Sequence, residues 1–215
     1  MRFVLGSRLT SGLAILLVVL FAGAPLRAGE AQPGVFMEGF GYRAIQVLSE
    51  TQPGTPERDT ELRRLLHDHF DVEFISRFVL SRFWRTASES ERSEFRQLFE
   101  DYVVAAYGRR FGSFNGERFA IGQTFPQDDE RVVVRSDVVR PGGETMTVDW
   151  RVQRRGDGEW RIIDIVVEGV SMMVTQRSEF AAVLLREGSV TALNSKLKQI
   201  IASLNGQVTK ASARS

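Results

Sequence analysis

The chain has 215 residues, 43% of them hydrophobic, with 28 Lys and Arg set against 27 Asp and Glu and no cysteine. Such a length can bury a core large enough to stand without cross-links, and zero Cys excludes a disulfide framework, a thiolate-held metal and a cysteine nucleophile. Arg2, Arg8 and Arg27 fall within the first 28 residues, which hold no acid, so the formal charge of +1 becomes −2 without them; the other basic residues alternate with acids, and no basic stripe suited to nucleic acid forms.

The amino-terminal segment reads as a secretory leader. Arg2 and Arg8 precede an apolar run over 13–21, and small residues follow, the order of charge, core and cleavage region that export requires. The run is shorter than the ~20 residues that span a bilayer, and with no Cys nearby a lipoprotein anchor is excluded. Pro25 stands directly behind Ala22-Gly23-Ala24, so cleavage is expected after Ala28. Residues 29–206 then form one domain and 207–215 a loose polar tail.

Helical signals come first. Phe36, Phe40, Ile45 and Leu48 mark a first helix, weakened by Gly39 and Gly41. A second, from about Glu57 to near Phe70, carries Leu62, Leu65 and Leu66 on one face. Asp71 is placed to cap a third over 72–80, with Phe70 and Ile75 as a hydrophobic staple and Phe74, Ile75, Phe78 and Val79 inward. The clearest helix follows, because Ser88 and Glu91 have capping-box spacing and Phe95, Leu98, Phe99, Tyr102, Val103, Ala106 and Tyr107 step along one side.

A glycine-rich, basic exit over 108–116 leads to four strand patterns at 118–125, 131–139, 145–154 and 160–167. The turns between them are short enough for an antiparallel meander. The fourth strand is apolar on both faces and must therefore be covered on both. Beyond Gly169 the apolar period changes from about 2 to about 3.6: Met173, Arg177, Phe180 and Leu184 share a helical face that stops at Gly188. Ser189 caps a last helix with Val190, Leu193, Leu197, Ile200, Ile201 and Leu204 inward. Helices, then strands, then helices, with no βαβ alternation, make an α+β fold around an antiparallel sheet of about four strands.

Little in the chain carries catalytic chemistry. There is no phosphate-cradling glycine loop and no nucleophile elbow. His67-Asp68-His69 sits at a helix end, where residues two apart point about 200° away from each other and cannot easily share a metal. Asp164 lies inside an apolar strand, so it is either satisfied by a partner, with Arg177 and the arginines of the neighbouring strand as candidates, or catalytic with a raised pKa; the partnered reading is favoured. Asp149 is expected to face outward, since Met146, Val148, Trp150 and Val152 occupy the other side of its strand. Met172 and Met173 suit an adaptable lining as well as an ordinary core.

Three stretches carry a family resemblance: FDVEFISRFVLSRFWRTASESERSEFRQLFEDYVVAAYGRRF from Phe70, VDWRVQRR from Val148, and WRIIDIVVEGVSMMVTQRSEF from Trp160. Together they resemble the MlaC or toluene-tolerance family of periplasmic phospholipid carriers, and the Asp-x-x-x-Glu-Gly-Val-Ser segment followed by Arg177 and Phe180 is the most specific part. The resemblance implies an NTF2-like sheet wrapped by helices, with an apolar lipid cavity between sheet and helices. From the helices its lining would be Phe78, Phe99, Tyr102, Ala106, Met172, Met173 and Phe180. From the sheet it would be Val132, Val134, Met146, Val148, Trp150, Val152, Ile165 and Val167.

The resemblance further implies a monomeric periplasmic carrier with phospholipid as cargo and no cofactor, serving an inner-membrane ABC transporter complex and an outer-membrane lipoprotein complex. Relatives tied to hopanoid metabolism make a hopanoid-type lipid an alternative cargo. Two other readings compete. An enzyme in a fold of this kind, as in ketosteroid isomerase, would use Asp164 or a tyrosine in the cavity; an adaptor for protein partners would have a filled core. No ionisable cluster converges to favour the enzyme, and the carrier needs only apolar lining.

Overall fold

A computed structural model describes residues 32–108 and 114–212; the leader and part of the glycine-rich exit lie outside them. The helices are α1 (Pro33–Glu50), α2 (Pro56–His69), α3 (Val72–Leu80), a single turn α4 (Phe83–Thr86), α5 (Glu89–Tyr107), α6 (Met172–Glu187) and α7 (Val190–Ser212). The strands are β1 (Arg118–Pro126), β2 (Arg131–Val139), β3 (Thr145–Arg154), β4 (Trp160–Val167) and a two-residue β5 (Val170–Ser171), paired antiparallel in that order. The meander is as expected, with β5 as an added fifth strand. α7 continues to Ser212, past Gln207 where the polar tail was expected to begin.

Local chemistry accounts for most boundaries. Asp71 accepts a hydrogen bond from the Phe74 amide at 2.9 Å and starts α3. Ser88 and Glu91 form the reciprocal capping box of α5. Gly188, at φ 78°, ends α6 in the left-handed conformation. Glu91 does more than cap: it also accepts from the Thr191 hydroxyl at 2.6 Å, tying α5 to α7. Thr191 and the Ser88 backbone and hydroxyl hold the Glu91 carboxyl down to about 2. A carboxylate lowered on folding stabilises the protein above its unfolded pKa and loses that contribution as pH falls through the folded value. Acid titration followed by circular dichroism should therefore show stability falling between about pH 4.5 and 2, and Glu91→Gln should flatten that part of the curve.

The apolar side chains gather into two cores. The sheet core joins Val132, Val134, Val148, Trp150, Val152 and Ile162 to Met37 and Phe40 of α1 and Leu65 of α2. The helical core joins Ile75, Val79 and Leu80 of α3 to Phe95, Leu98 and Phe99 of α5, Phe180 and Leu184 of α6, and Leu193 and Leu197 of α7. Phe70 packs against both. Its backbone forms a parallel bridge with Ile162, and the Asp71 amide donates to the Ile162 carbonyl at 3.0 Å, so the junction of the two layers is fixed at one point of β4.

β4 is covered on both sides, as its composition requires. Trp150 pairs with Ile165, Arg151 with Asp164, and Val152 with Ile162, which leaves Ile163 as an unpaired bulge. The bulge lets Ile162, Ile163 and Asp164 be buried in succession. One side meets the α1 and α2 layer, and α3 and α6 pack on the other.

Of the two glycines that weaken the α1 pattern, only Gly41 is required. A Cβ there would lie 2.0 Å from Cδ1 of Phe119, whose ring also contacts Trp150, whereas a Cβ at Gly39 meets nothing within 4 Å. Opposite effects are expected: Gly39→Ala should stabilise by about 0.5–1 kcal/mol through helix propensity, and Gly41→Ala should destabilise by about 1–3 kcal/mol because the ring must leave its seat. Paired urea denaturation curves separate the two.

Candidate functional site

The residues expected to line a cavity fall on two different walls. Val132, Val134, Met146, Val148, Trp150, Val152, Ile165 and Val167 all belong to the sheet core; Phe78, Phe99, Tyr102, Met173 and Phe180 belong to the helical core. Ala106 and Met172 are half-buried and belong to neither. Val148 lies in the sheet core and Phe99 and Tyr102 in the helical core, so they do not face each other across one cavity as a shared lining would require. The space over Val148 is taken by α1, whose Phe40 meets the Trp150 ring edge-on at 5.1 Å. Both α1 and α5 present an aromatic stripe, and it is α1 that lies over the sheet.

Each wall carries an aromatic cluster. On the sheet side Trp150 touches Phe40 and Phe119, and Phe40 also meets Phe70 and His69. On the helical side Phe95, Phe99 and Tyr102 surround Phe180. The polar requirement of the Trp150 indole is met by the hydroxyl of fully buried Ser136 at 2.8 Å. Ser136 went unnoticed in the sequence; its signal is a lone polar residue on the otherwise apolar inward face of β2, beside Val132, Val134 and Val138.

Asp164 is buried and fully engaged. It accepts from Arg151 Nη1 at 2.9 Å, the Ser171 hydroxyl at 2.6 Å and the Met173 amide at 3.0 Å. Ser171 in turn accepts from the Val174 amide and caps α6. The Asp-x-x-x-Glu-Gly-Val-Ser segment is thus a turn-and-cap device: Glu168 and Gly169, both at positive φ, reverse the chain, and Asp164 holds the start of α6 against β4. Arg177 is not its partner; that guanidinium lies over the Phe78 ring. Asp149 faces outward and is gripped by Arg135 through two hydrogen bonds.

Where the two layers part at the surface there is an open cleft of about 910 Å³, within the range of small-ligand sites. Phe36, Phe70, Val72 and Trp160 supply its apolar part; α2, α5, the β3–β4 turn and the start of β4 supply charged groups, among them His67, Arg96, Glu100 and Arg161. His67 is exposed on the cleft, while His69 is turned inward between Phe36 and Phe40, where burial lowers its pKa. The two imidazoles point to different environments, as their spacing requires. No group of three or more potential metal ligands occurs among the described residues.

A family model described as MlaC protein matches residues 42–199. The chain belongs to the MlaC family. Among its relatives, the toluene tolerance protein ttg2D of Pseudomonas putida is 24% identical over 201 residues, covering 91% of this chain and 90% of that protein. The intermembrane phospholipid transport system binding protein MlaC of Haemophilus influenzae is 21% identical over 177 residues, covering 79% and 82%. Among solved structures, the phospholipid-binding protein from Ralstonia solanacearum, determined in complex with a phospholipid, matches with a TM-score of 0.68 at 21% identity, over 83% of this chain and 99% of that one. The shared α+β fold of the MlaC family is thereby established for this chain. No helix among the described residues is long and apolar enough to cross a membrane.

Proposed function

We propose that the protein is a periplasmic lipid carrier that takes the acyl chains of a phospholipid between its two apolar walls and moves lipid between outer and inner membranes for an ABC transport system. The observation that carries the reading is the division of the interior into two cores joined through Phe70, which gives acyl chains a seam to enter. Membership of the MlaC family and the names of the Haemophilus and Ralstonia relatives support the cargo class. Removing about 30 methylenes from water is worth on the order of 20 kcal/mol, and a bilayer returns nearly the same amount. Exchange between protein and membrane is then close to balanced, and direction has to come from partners, since the chain has no nucleotide-binding loop.

Protein purified without detergent is expected to bring one phospholipid with it, detected by native mass spectrometry and identified after extraction. A homogeneous lipid-free mass under gentle conditions would favour the adaptor, and a terpenoid in the extract would favour the hopanoid-type cargo. The intact mass of the periplasmic form should correspond to a chain beginning at Gly29; a species retaining residues 1–28 would contradict the exported, unanchored reading.

A further inference from the structure

The surface cleft at the layer junction has a charge pattern that a purely anionic ligand would not meet well. Its lining holds Arg96, Arg155 and Arg161 against Asp68, Asp71, Glu73, Glu100 and Glu159, so carboxylates outnumber guanidiniums five to three. Most of these are already engaged. Arg96 pairs with Glu73 and Glu89, Arg161 with Glu159, and Asp71 caps α3. Glu100 differs: it is half-buried on α5 and makes no hydrogen bond or ion pair among the described residues, and burial raises its pKa against the opposing pull of His67, Arg63 and Arg96. Its carboxylate is thus poorly solvated and ready for a cation, while the guanidiniums nearby can share a phosphate with the acids they already hold. The floor of the same cleft includes Phe70, the side chain common to both cores. A lipid whose chains enter the seam there would leave its headgroup among these charges.

We propose, on the basis of the carrier reading above, that this cleft is the headgroup site of a zwitterionic aminophospholipid, with the phosphate against Arg96 and Arg161 and the primary ammonium against Glu100. Both charges of the headgroup then find a counterpart, and an anionic headgroup such as that of phosphatidylglycerol finds an excess of acid.

The test uses the full mature chain, equilibrated with vesicles of equal phosphatidylethanolamine and phosphatidylglycerol, separated from them, and extracted for lipid analysis. The wild type is expected to carry the ethanolamine lipid enriched roughly three-fold or more over the vesicle ratio, the size of effect a single partly exposed charge contact produces. Glu100→Gln should bring the ratio to that of the vesicle, and Glu100→Lys should invert it. Enrichment that survives in both variants, or a wild-type ratio equal to that of the vesicle, would overturn the headgroup assignment alone. A wild type that takes up neither lipid would instead overturn the carrier reading on which it rests.

Discussion

Asp164→Ala should lower stability by about 3–4 kcal/mol, which for a chain of this size is a drop in Tm of roughly 10 °C. The carboxylate is buried with its oxygens divided among Arg151, Ser171 and the Met173 amide. Truncation leaves the Met173 amide without its acceptor and frees the Ser171 hydroxyl to abandon the Val174 amide, so the first turn of α6 loses two supports together. It also removes a negative charge from the amino-terminal end of α6, where the helix dipole favours one. Asp164→Asn keeps one acceptor oxygen but sets an amide against donors, and an intermediate loss of about 2 kcal/mol is expected. The protein that remains folded should carry lipid as the parent does. Unchanged Tm together with loss of a measurable turnover would revive the enzyme reading.

Arg58→Ala is expected to cost about 3 kcal/mol. Arg58 is completely buried, and burial lowers its pKa. Its Nε donates to the Thr51 hydroxyl at 2.9 Å, and Nη2 donates to the Leu48 carbonyl at 2.8 Å and to the Thr51 carbonyl. These acceptors are the carboxy-terminal end of α1, where unpaired carbonyls and the negative end of the helix dipole call for a cation. Losing the guanidinium would orphan them beneath α2 and loosen the helix that covers the sheet. Arg58→Lys should recover only part of the loss, because an ammonium cannot present the same fork of donors. Thermal melts of the two variants beside the parent provide the comparison, and a neutral Arg58→Ala would show that α1 ends without this clamp.

Much of the architecture was legible because it is written in short-range pattern. Asp71, Ser88 with Glu91, Ser189 and Gly188 act at the helix ends where their chemistry suggested, and the four long strands sit where turn residues bounded them. β5 and α4 were not legible: a two-residue strand has no period, and Phe83 to Thr86 is too short to show one. Arg58 was hidden for a different reason. An arginine in a charged amphipathic helix reads as solvent-facing, and only the fold brings the end of α1 within reach of it. The site suffered most from the same limit. The inward residues of β2 and β3 were recognisable from alternation, yet alternation cannot say which helix lies opposite, and α1 with Phe36 and Phe40 competes equally with α5 and its Phe99 and Tyr102. The cleft was missed because its walls come from α1, α2, α3, α5, a hairpin turn and the start of β4, a constellation with no sequence spacing.

The central claim, that acyl lipid lies in the seam between the two walls, is tested most directly by placing the photoreactive amino acid benzoylphenylalanine at Phe70, with Arg135 on the outer face of the sheet as the control position. Both variants would be loaded from phospholipid vesicles, irradiated and weighed intact. A phospholipid adduct at position 70 and none at position 135 is the predicted result. A lipid-loaded protein that forms no adduct at position 70, or forms one equally at position 135, would contradict it.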